Sequence, residues 1–221
     1  MLKITLLVIS LILSYGFNSN KIETNIISSS KIKATIDKKI PNGMTGFIIH
    51  NNMVIGKAIS NGNYNVNYLS FLKLKNDALA TPNITPKKGD TIIFGIYNKR
   101  WLLIAPNQES YLKTIKNNPN ISFISSDIFA TYFDTKPTQK DFIKFCKDFN
   151  IGIINFVLDK NYIVDANSFI ILDKTNLKKE INYKKPFYTN YKKFKKSLFS
   201  FKPKIWINYY NNMLKNKVKI W

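Results

Sequence analysis

The sequence predicts an α+β fold, in which a small, mostly antiparallel and barrel-like β unit is followed by an α/β layer. Residues 31–105 consist of short apolar runs separated by turn signals, which is typical of antiparallel strands. After Pro106 the pattern changes, and helical periodicity alternates with apolar runs short enough to be buried strands. With 221 residues, of which 45% are hydrophobic, the chain can bury a core of domain size.

The first sixteen residues have the pattern of a secretory signal peptide. Lys3 supplies a positive charge, residues 4–13 are apolar, and residues 14–16 have the small-x-small pattern of a cleavage site. The apolar stretch is short for a transmembrane helix, and an uncleaved N-terminal anchor is the alternative. We therefore expect export to the periplasm, the outer membrane or the cell surface. Residues 17–30, rich in Ser and Asn, are expected to be a solvated leader.

The predicted β unit begins at residue 31. Its strands are expected at residues 31–36, 46–50, 54–59, 91–97 and 100–105. The string PNGMTG, residues 41–46, is a strong turn signal. Asn51 and Asn52 join two strands and can adopt the positive φ of a tight hairpin. Residues 71–80 are ambiguous, because their leucines alternate with lysines while an Asn-Asp pair interrupts the strand pattern.

Residues 106–177 form the predicted α/β part of a domain that spans 31–177. Asn107 is well placed as the N-cap of a helix over the string NQESYLKTIKNN. The string SSDIFATYF, residues 125–133, predicts a short helix, and TQKD, residues 138–141, matches the capping box of another. Short strands are expected at residues 121–124 and 152–158, and a strand, a turn and a second strand over residues 162–172.

The residues that carry metal and thiol chemistry are scarce. His50 is the only histidine and Cys146 the only cysteine, which excludes a disulfide within the chain and metal sites built from His pairs or several Cys. Cys146 shares one helix face with Phe142, Phe145 and Phe149, so we predict that it is a small core residue.

The sequence also shows no pattern typical of a phosphate-binding loop or of a catalytic carboxylate pair. The joint IAPNQES, residues 104–110, has no glycine, and Pro106 lacks a backbone donor, so we interpret the joint as structural. The acids Asp127, Asp134, Asp159 and Asp165 lie at turns or caps, where Asp is ordinary. We expect no enzyme activity, no catalytic residue, no cofactor and no metal. A hydrolase whose two carboxylates are brought together by the fold is the weakest alternative.

The net charge of +21 favours anionic partners, although an A/T-rich genome would also give a composition rich in Lys, Asn and Ile. Arg100 is the only arginine, whereas a protein that binds nucleic acid usually uses the bidentate guanidinium group, so no nucleic acid is expected as a partner.

Residues 178–221 combine lysine doublets with interleaved aromatics and are predicted to be a separate basic tail. Such a tail suits an anionic membrane surface. The alternative is a solvated tail with some aromatics packed on the domain.

Six strings occur together in order: PNGMTGFIIH (41–50), LKNDALATPNITPKKGDTIIFG (74–95), LLIAPNQESYLKTIK (102–116), SSDIFATYF (125–133), VDANSFIIL (164–172) and PFYTN (186–190). Over roughly residues 22–191 the chain resembles the N-terminal domain of the plasminogen-binding protein family of host-associated Gram-negative bacteria. The resemblance implies a secreted or surface-associated protein that captures host plasminogen by lysine recognition. Kringle modules of plasminogen hold a lysine with an anionic pair and an aromatic trough.

The resemblance also implies a preference for a C-terminal lysine, from which this sequence departs. It ends in NKVKIW, so Trp221 is terminal and binding would have to use internal lysines. The candidates are Lys184, Lys185, Lys192, Lys193, Lys195, Lys196, Lys215, Lys217 and Lys219. The alternative function is that of a periplasmic or envelope protein with a structural or assembly role, which contacts anionic lipid or an envelope partner through its basic tail.

Overall fold

A computed structural model describes residues 17–71, 84–133, 136–177, 183–191 and 205–216. Within them, the first unit is a closed barrel of antiparallel strands in the order β1-β2-β5-β4-β3-β6. The strands are β1 (Ile22–Ser29), β2 (Lys33–Ile36), β3 (Thr45–His50), β4 (Met53–Ser60), β5 (Asn65–Ser70) and β6 (Thr91–Phe94). The prediction of a barrel-like antiparallel unit is confirmed.

Apolar side chains fill the interior of the barrel. Ile36, Ile48, Ile92 and Phe94 are fully buried and contact one another in a single cluster. On β3 and β6 the buried positions alternate with partly exposed ones, because successive side chains of a strand point to opposite faces. The barrel therefore has a packed core, as expected for its small number of strands.

The second unit is a mixed sheet in the order β11-β10-β9-β7-β8. Its strands are β7 (Arg100–Ile104), β8 (Ser122–Ile124), β9 (Ile153–Val157), β10 (Lys160–Asp165) and β11 (Ile171–Asn176), and the helices are α1 (Gln108–Asn117), α2 (Ser126–Ala130), α3 (Gln139–Asp148) and α4 (Trp206–Lys215). β7 runs parallel to β8 and β9, whereas β10 is antiparallel to β9 and β11. The α+β class is therefore confirmed.

The local turn and cap predictions are also confirmed. Asn51 and Asn52 have φ values of 46° and 63° at the β3–β4 hairpin. The Asn107 side chain accepts a hydrogen bond from the backbone N–H of Ser110 at 2.9 Å, so the joint after β7 is a capped helix start. Thr138 and Asp141 form the capping box of α3.

The predicted leader at residues 17–30 is wrong, because it contains β1. This strand pairs with β2 on one side and β6 on the other, and it closes the barrel. Thr24 and Ile26 point inward and are 0% and 2% exposed. Asn25, Ser28 and Ser29 of this strand are exposed, where polar side chains are normal, and the other Ser and Asn residues of 17–30 flank the strand.

Two further boundaries differ from the prediction. β7 was assigned to the β unit at residues 31–105, but it lies inside the second sheet between β8 and β9. Its five residues are almost wholly buried because both faces of the strand are covered. β5 was not predicted, although its inward residues Val66 and Tyr68 alternate with polar ones.

The separate tail predicted at residues 178–221 is wrong for its two described segments. Tyr183 and Phe187, and the α4 residues Trp206 and Tyr210, belong to the main core of the second unit. This core is rich in aromatic rings, and Phe129 contacts Phe142, Phe145 and Phe187 at centroid distances of 4.6 to 5.4 Å. These four aromatics of the predicted tail are thus core residues, whereas Tyr191 is 48% exposed.

Asp165 connects the two units. Its buried carboxylate accepts hydrogen bonds from the backbone N–H of Thr45 in the barrel and of Ser168 in its own turn, each at 2.9 Å. The Thr45 hydroxyl and the backbone N–H of Asn167 donate to it as well. Burial raises the pKa of Asp165, and these hydrogen bonds act against that rise. The carboxylate thereby fixes the β10–β11 turn against β3.

No helix among the described residues is long and apolar enough to cross a membrane. The predicted signal peptide at residues 1–16 lies outside the described residues. So does most of the ambiguous stretch at residues 71–80, of which only Phe71 is described.

Candidate functional site

Three of the nine candidate lysines are described. Lys184, Lys185 and Lys215 are all exposed. Lys192, Lys193, Lys195, Lys196, Lys217 and Lys219 lie outside the described residues. The described candidate lysines therefore offer exposed side chains at two places, the segment 183–191 and the end of α4.

The segment 183–191 is held on the body by buried hydroxyl groups. The Tyr183 hydroxyl lies 2.9 and 2.8 Å from the carbonyl oxygens of Ile104 and Val157, which share its single proton. The Tyr210 hydroxyl of α4 donates to the carbonyl oxygen of Pro186 at 2.8 Å. These bonds give Lys184 and Lys185 a fixed backbone, and they join the two lysine-bearing places.

Asp127 holds the other end of this segment. Its carboxylate accepts hydrogen bonds from the Thr189 hydroxyl and, at 2.7 and 2.8 Å, from the backbone and side-chain N–H groups of Asn190. Burial raises the pKa of Asp127, but these three hydrogen bonds outweigh it and the pKa is lowered overall. The carboxylate that the sequence placed at an ordinary helix start thus anchors the lysine segment.

Lys185 and Lys215 differ in their surroundings. The Lys185 ammonium donates to the carbonyl oxygen of Tyr191, a residue that is 48% exposed, at 3.2 Å. Lys215 is the last residue of α4, and Gln139 of α3 donates to the nearby carbonyl oxygens of Met213 and Asn216 at 2.7 and 3.0 Å. Both lysines are thus exposed on ordered backbone.

A groove of about 250 Å³ lies between the barrel and α3. It is lined by Thr45, Gly46, Phe47, Lys57, Ala58, Leu69, Phe71, Ile143, Lys147 and Asn167. Lys57 projects from β4 and is half-buried, and its Nζ lies 5.8 Å from the centroid of the Phe47 ring. Burial lowers the pKa of Lys57, and the nearby positive charge of Lys147 lowers it further. The groove is thus apolar with two neighbouring ammonium groups.

Neither lysine of this groove was singled out from the sequence. Lys57 is the only charged residue of β4, where the neighbouring Ile55, Gly56, Ala58 and Ile59 are apolar and buried. A lysine inside such a strand could have indicated a site, because its aliphatic stem must be buried while its ammonium group reaches solvent or a ligand. The sequence around Lys147 did not indicate a site, since its proximity to β4 depends on how α3 packs.

A second concave surface, of about 370 Å³, is polar and lies at one end of the barrel. It is lined by Ser28, Ser29, Ser30, Lys33, Ala34, Thr35, Asn61, Asn65 and Val66. Ser29 and Ser30 use their hydroxyl groups to bond the carbonyl oxygens of Pro86 and Lys33. These contacts close the strand ends, and their chemistry indicates no particular ligand.

The groups that could support catalysis have structural partners. His50 Nδ1 lies 2.6 Å from Asp90 Oδ1 at the barrel, whereas Cys146 is buried in the core of the second unit. Burial raises the pKa of the Cys146 thiol well above its usual value, so the reactive thiolate is disfavoured there. Cys146 is therefore a core residue, as predicted.

The acidic residues predicted at turns and caps also have structural partners where they are described. Asp127 and Asp165 accept the hydrogen bonds described above, Asp159 accepts one from the Asn211 side chain at 3.1 Å, and Asp134 lies outside the described residues. Within the part of the chain that the structure describes, no group of three or more His, Cys, Asp or Glu could hold a metal ion.

Residues 21–214 match the family model of the N-terminal region of plasminogen-binding protein PgbA. Two curated relatives are plasminogen-binding protein PgbA of Helicobacter pylori, and the chain is 33% identical to that of strain J99 and 32% identical to that of strain 26695, each over 136 residues. The alignments cover 61% of this chain and 30% of each relative, so the chain spans less than a third of the length of the curated relatives it matches. No solved structure matches.

Proposed function

The chain belongs to the family of plasminogen-binding protein N-terminal domains, and on that basis we propose that it is an exported, non-enzymatic binding protein that captures host plasminogen. The relatives are named for this binding, and none of the names is that of an enzyme. Export is supported by the signal-like pattern of the first sixteen residues.

Lysine recognition is the proposed mechanism. The observation that carries it is the pair Lys184 and Lys185, which is exposed on a segment held by Tyr183, Tyr210 and Asp127. An ammonium group on ordered backbone loses less conformational entropy on binding than one on a free chain. Tyr191, whose carbonyl oxygen accepts a hydrogen bond from Lys185, is 48% exposed and can contact the same partner.

Binding of the full chain to immobilised plasminogen tests this function. Binding through lysine side chains should be abolished by a lysine analogue at moderate salt. Binding through the net charge of +21 alone should instead be lost as salt rises and should be insensitive to the analogue. Absence of binding, or binding removed only by salt, would contradict the proposal.

A matched pair of variants locates the lysines. The double variant Lys184→Gln/Lys185→Gln should weaken binding about tenfold if this pair occupies a lysine-binding module. Lys87→Gln/Lys88→Gln is the control, because these two exposed lysines lie together on the barrel and removing them changes the net charge equally. Equal weakening by both variants would show that the total charge is responsible. Parallel variants at 192/193, 195/196 and 217/219 test the remaining candidates.

The second candidate function is a structural or assembly role in the envelope, with anionic lipid or an envelope protein as partner. The excess of 34 Lys and Arg over 13 Asp and Glu favours it. Protease treatment of intact cells separates the two functions, because a receptor for a host protein must be cleaved from outside. A chain that is protected until the outer membrane is opened would support the envelope role. Lysine substitutions are the suitable variants, since deletion of 178–221 would remove core residues such as Phe187 and Tyr210.

A further inference from the structure

The groove between the barrel and α3 has an unusually apolar wall for a surface. Leu69 and Phe71 are 44% and 40% exposed and lie beside the half-buried ring of Phe47. Ile143 of α3 closes the opposite side. Large apolar side chains gathered in one concavity with a few polar groups are typical of small-molecule sites.

The charges of the groove are only partly compensated, since Lys147 acts on the carboxylate of Asp148 without a direct contact. Neither the Lys57 nor the Lys147 ammonium group has a hydrogen-bond or ion-pair partner among the residues that the structure describes. The neighbouring carboxylate of Asp148 already accepts a hydrogen bond from Lys144 at 2.8 Å and another from the Tyr132 hydroxyl. Asp165 lies behind Thr45, which donates two hydrogen bonds to it.

This arrangement has an energetic consequence. Burying an ammonium group beside a second one is unfavourable, because desolvation and repulsion both oppose the charged form. The lowered pKa of Lys57 reports both effects. A single negative group placed between Lys57 and Lys147 would relieve the repulsion and supply the missing hydrogen-bond acceptors. The charge of the groove is thus complementary to an anion, and its wall is complementary to an apolar body.

We propose that this groove binds a small amphiphile that has one anionic head and a short apolar body. The head lies between Lys57 and Lys147, and the body lies on Phe47, Leu69 and Phe71. The volume of about 250 Å³ is below the range of about 300 to 1,000 Å³ that is usual for drug-sized ligands, which restricts the body to a short chain or a single ring system. The groove is not lined by the described candidate lysines Lys184, Lys185 and Lys215, so the failure of this proposal and that of the proposed function are distinguishable.

Calorimetric titration of the full chain with four compounds that share an eight-carbon chain tests the chemistry of the ligand. Octanoate and octyl phosphate should bind, and the difference between them shows whether the site prefers a carboxylate or a phosphate head. Octanol should bind about tenfold more weakly, because it lacks the charge, and octyltrimethylammonium should not bind. Lengthening the carboxylate from hexanoate to octanoate should tighten binding about fourfold per methylene while the groove is being filled.

Equal binding of octanoate, octanol and octyltrimethylammonium would overturn the proposal, since it would indicate apolar adsorption. Absence of binding by all four compounds would overturn it as well. Binding of octyl phosphate but not octanoate would retain the site and assign its head group as a phosphate. Vesicles that contain phosphatidylglycerol form a further arm, and competition between them and octyl phosphate would identify a lipid head as the source.

Single-lysine variants locate the binding. Lys57→Met and Lys147→Met should each weaken octanoate binding about tenfold. Lys140→Met is the matched control, because Lys140 is exposed on the same helix α3 and does not line the groove. An equal loss in all three variants would overturn the proposal and assign the binding to net charge.

A second readout does not depend on the folding of a variant. NMR titration of the wild-type chain, with its lysines labelled by reductive methylation, measures the pKa of Lys57 with and without octanoate. An anion between the two ammonium groups stabilises their charged forms, so the pKa of Lys57 should rise on binding. An unchanged pKa at saturating octanoate would place the ligand elsewhere and overturn the proposal.

Discussion

At the scale of one residue, Asp165 is a turn acid whose carboxylate links the barrel to the second unit. Its carboxylate is 1% exposed and accepts hydrogen bonds from Thr45, Asn167 and Ser168. A buried carboxylate without such donors would be strongly unfavourable. The four N–H and O–H donors therefore account for its presence between the barrel and the second sheet.

The substitution Asp165→Asn is expected to destabilise the protein by about 2 kcal/mol, because the amide would turn an N–H group toward the donors of Thr45 or Ser168. Urea unfolding at pH 7 measures the loss. Asp173→Asn on β11 is the control, and it should change the free energy of unfolding by less than about 0.5 kcal/mol, since this carboxylate bonds only the neighbouring backbone N–H of Lys174. Equal stability of the Asp165 variant and the wild type would contradict the bridging role.

Asp127 makes the lysine segment sensitive to acid. Its pKa is lowered below 3.8 in the folded protein, so its stabilising contribution is complete above the unfolded value and is lost as pH falls through the folded one. The contribution at pH 7 should be modest, because the carboxylate is partly exposed. Below about pH 4 the segment 183–191 should therefore loosen.

The variant Asp127→Asn tests this pH dependence. It lacks the titrating group, so its free energy of unfolding should fall less steeply than that of the wild type between pH 5 and pH 2.5. The two curves should converge at low pH. Parallel curves over this range would show that the hydrogen bonds to Thr189 and Asn190 do not stabilise the charged carboxylate.

At the scale of elements, α4 is a core helix that the composition of the surrounding segment did not predict. It has no side-chain N-cap, and its lysine-rich surroundings suggested a solvated tail. Trp206, Tyr210, Met213 and Leu214 are spaced three to four residues apart and form one buried face. The helix therefore completes the core of the second unit.

Tyr210 is the residue on which this packing depends most. Tyr210→Ala should cost about 3 to 5 kcal/mol, because the fully buried ring contacts Phe156, Tyr183 and Trp206. Tyr210→Phe should cost about 1 kcal/mol, for the lost hydrogen bond to the carbonyl oxygen of Pro186. Thermal unfolding compares them with Tyr191→Ala, which removes an exposed ring and should be nearly neutral. A neutral Tyr210→Ala would mean that α4 does not belong to the core.

At the scale of the whole molecule, β1 closes the barrel. It supplies hydrogen bonds to β2 and β6, and without it both strands would present unpaired edges. Closure also buries Ile26 in the interior, whereas its neighbour Ile27 is 48% exposed. The two adjacent isoleucines therefore report directly on the strand and its register.

Ile26→Ala should destabilise the protein by about 2 to 4 kcal/mol, whereas Ile27→Ala should change its stability by less than about 0.5 kcal/mol. Chemical unfolding of the two variants measures the difference. The pair is well matched, because the same atoms are removed at neighbouring positions. Two neutral variants would be the result for a solvated leader and would contradict closure of the barrel by β1.

The sequence by itself determined the features that depend on neighbours along the chain. Asn51 and Asn52 predicted their hairpin, and Asn107 and Thr138 their caps, because cap and turn geometry is set by a side chain bonding backbone within a few residues. The buried strand over 152–158 was predictable for the same reason, since its apolar run exceeds what a surface strand would carry. The α+β class followed from the order of these elements.

Tertiary structure alone decided which of these elements meet. β1 and α4 lie in stretches whose composition suggested exposure to solvent. The inward residues of β1 are buried because the strand pairs with β6, and those of α4 are buried because the helix packs on Phe142 and Phe156. Lys57 and Lys147 are 90 positions apart in the numbering, and their electrostatic repulsion exists because α3 packs beside β4. Local patterns reflect energies between neighbours, whereas a site such as this groove arises from contacts whose sequence separation leaves no periodic signal.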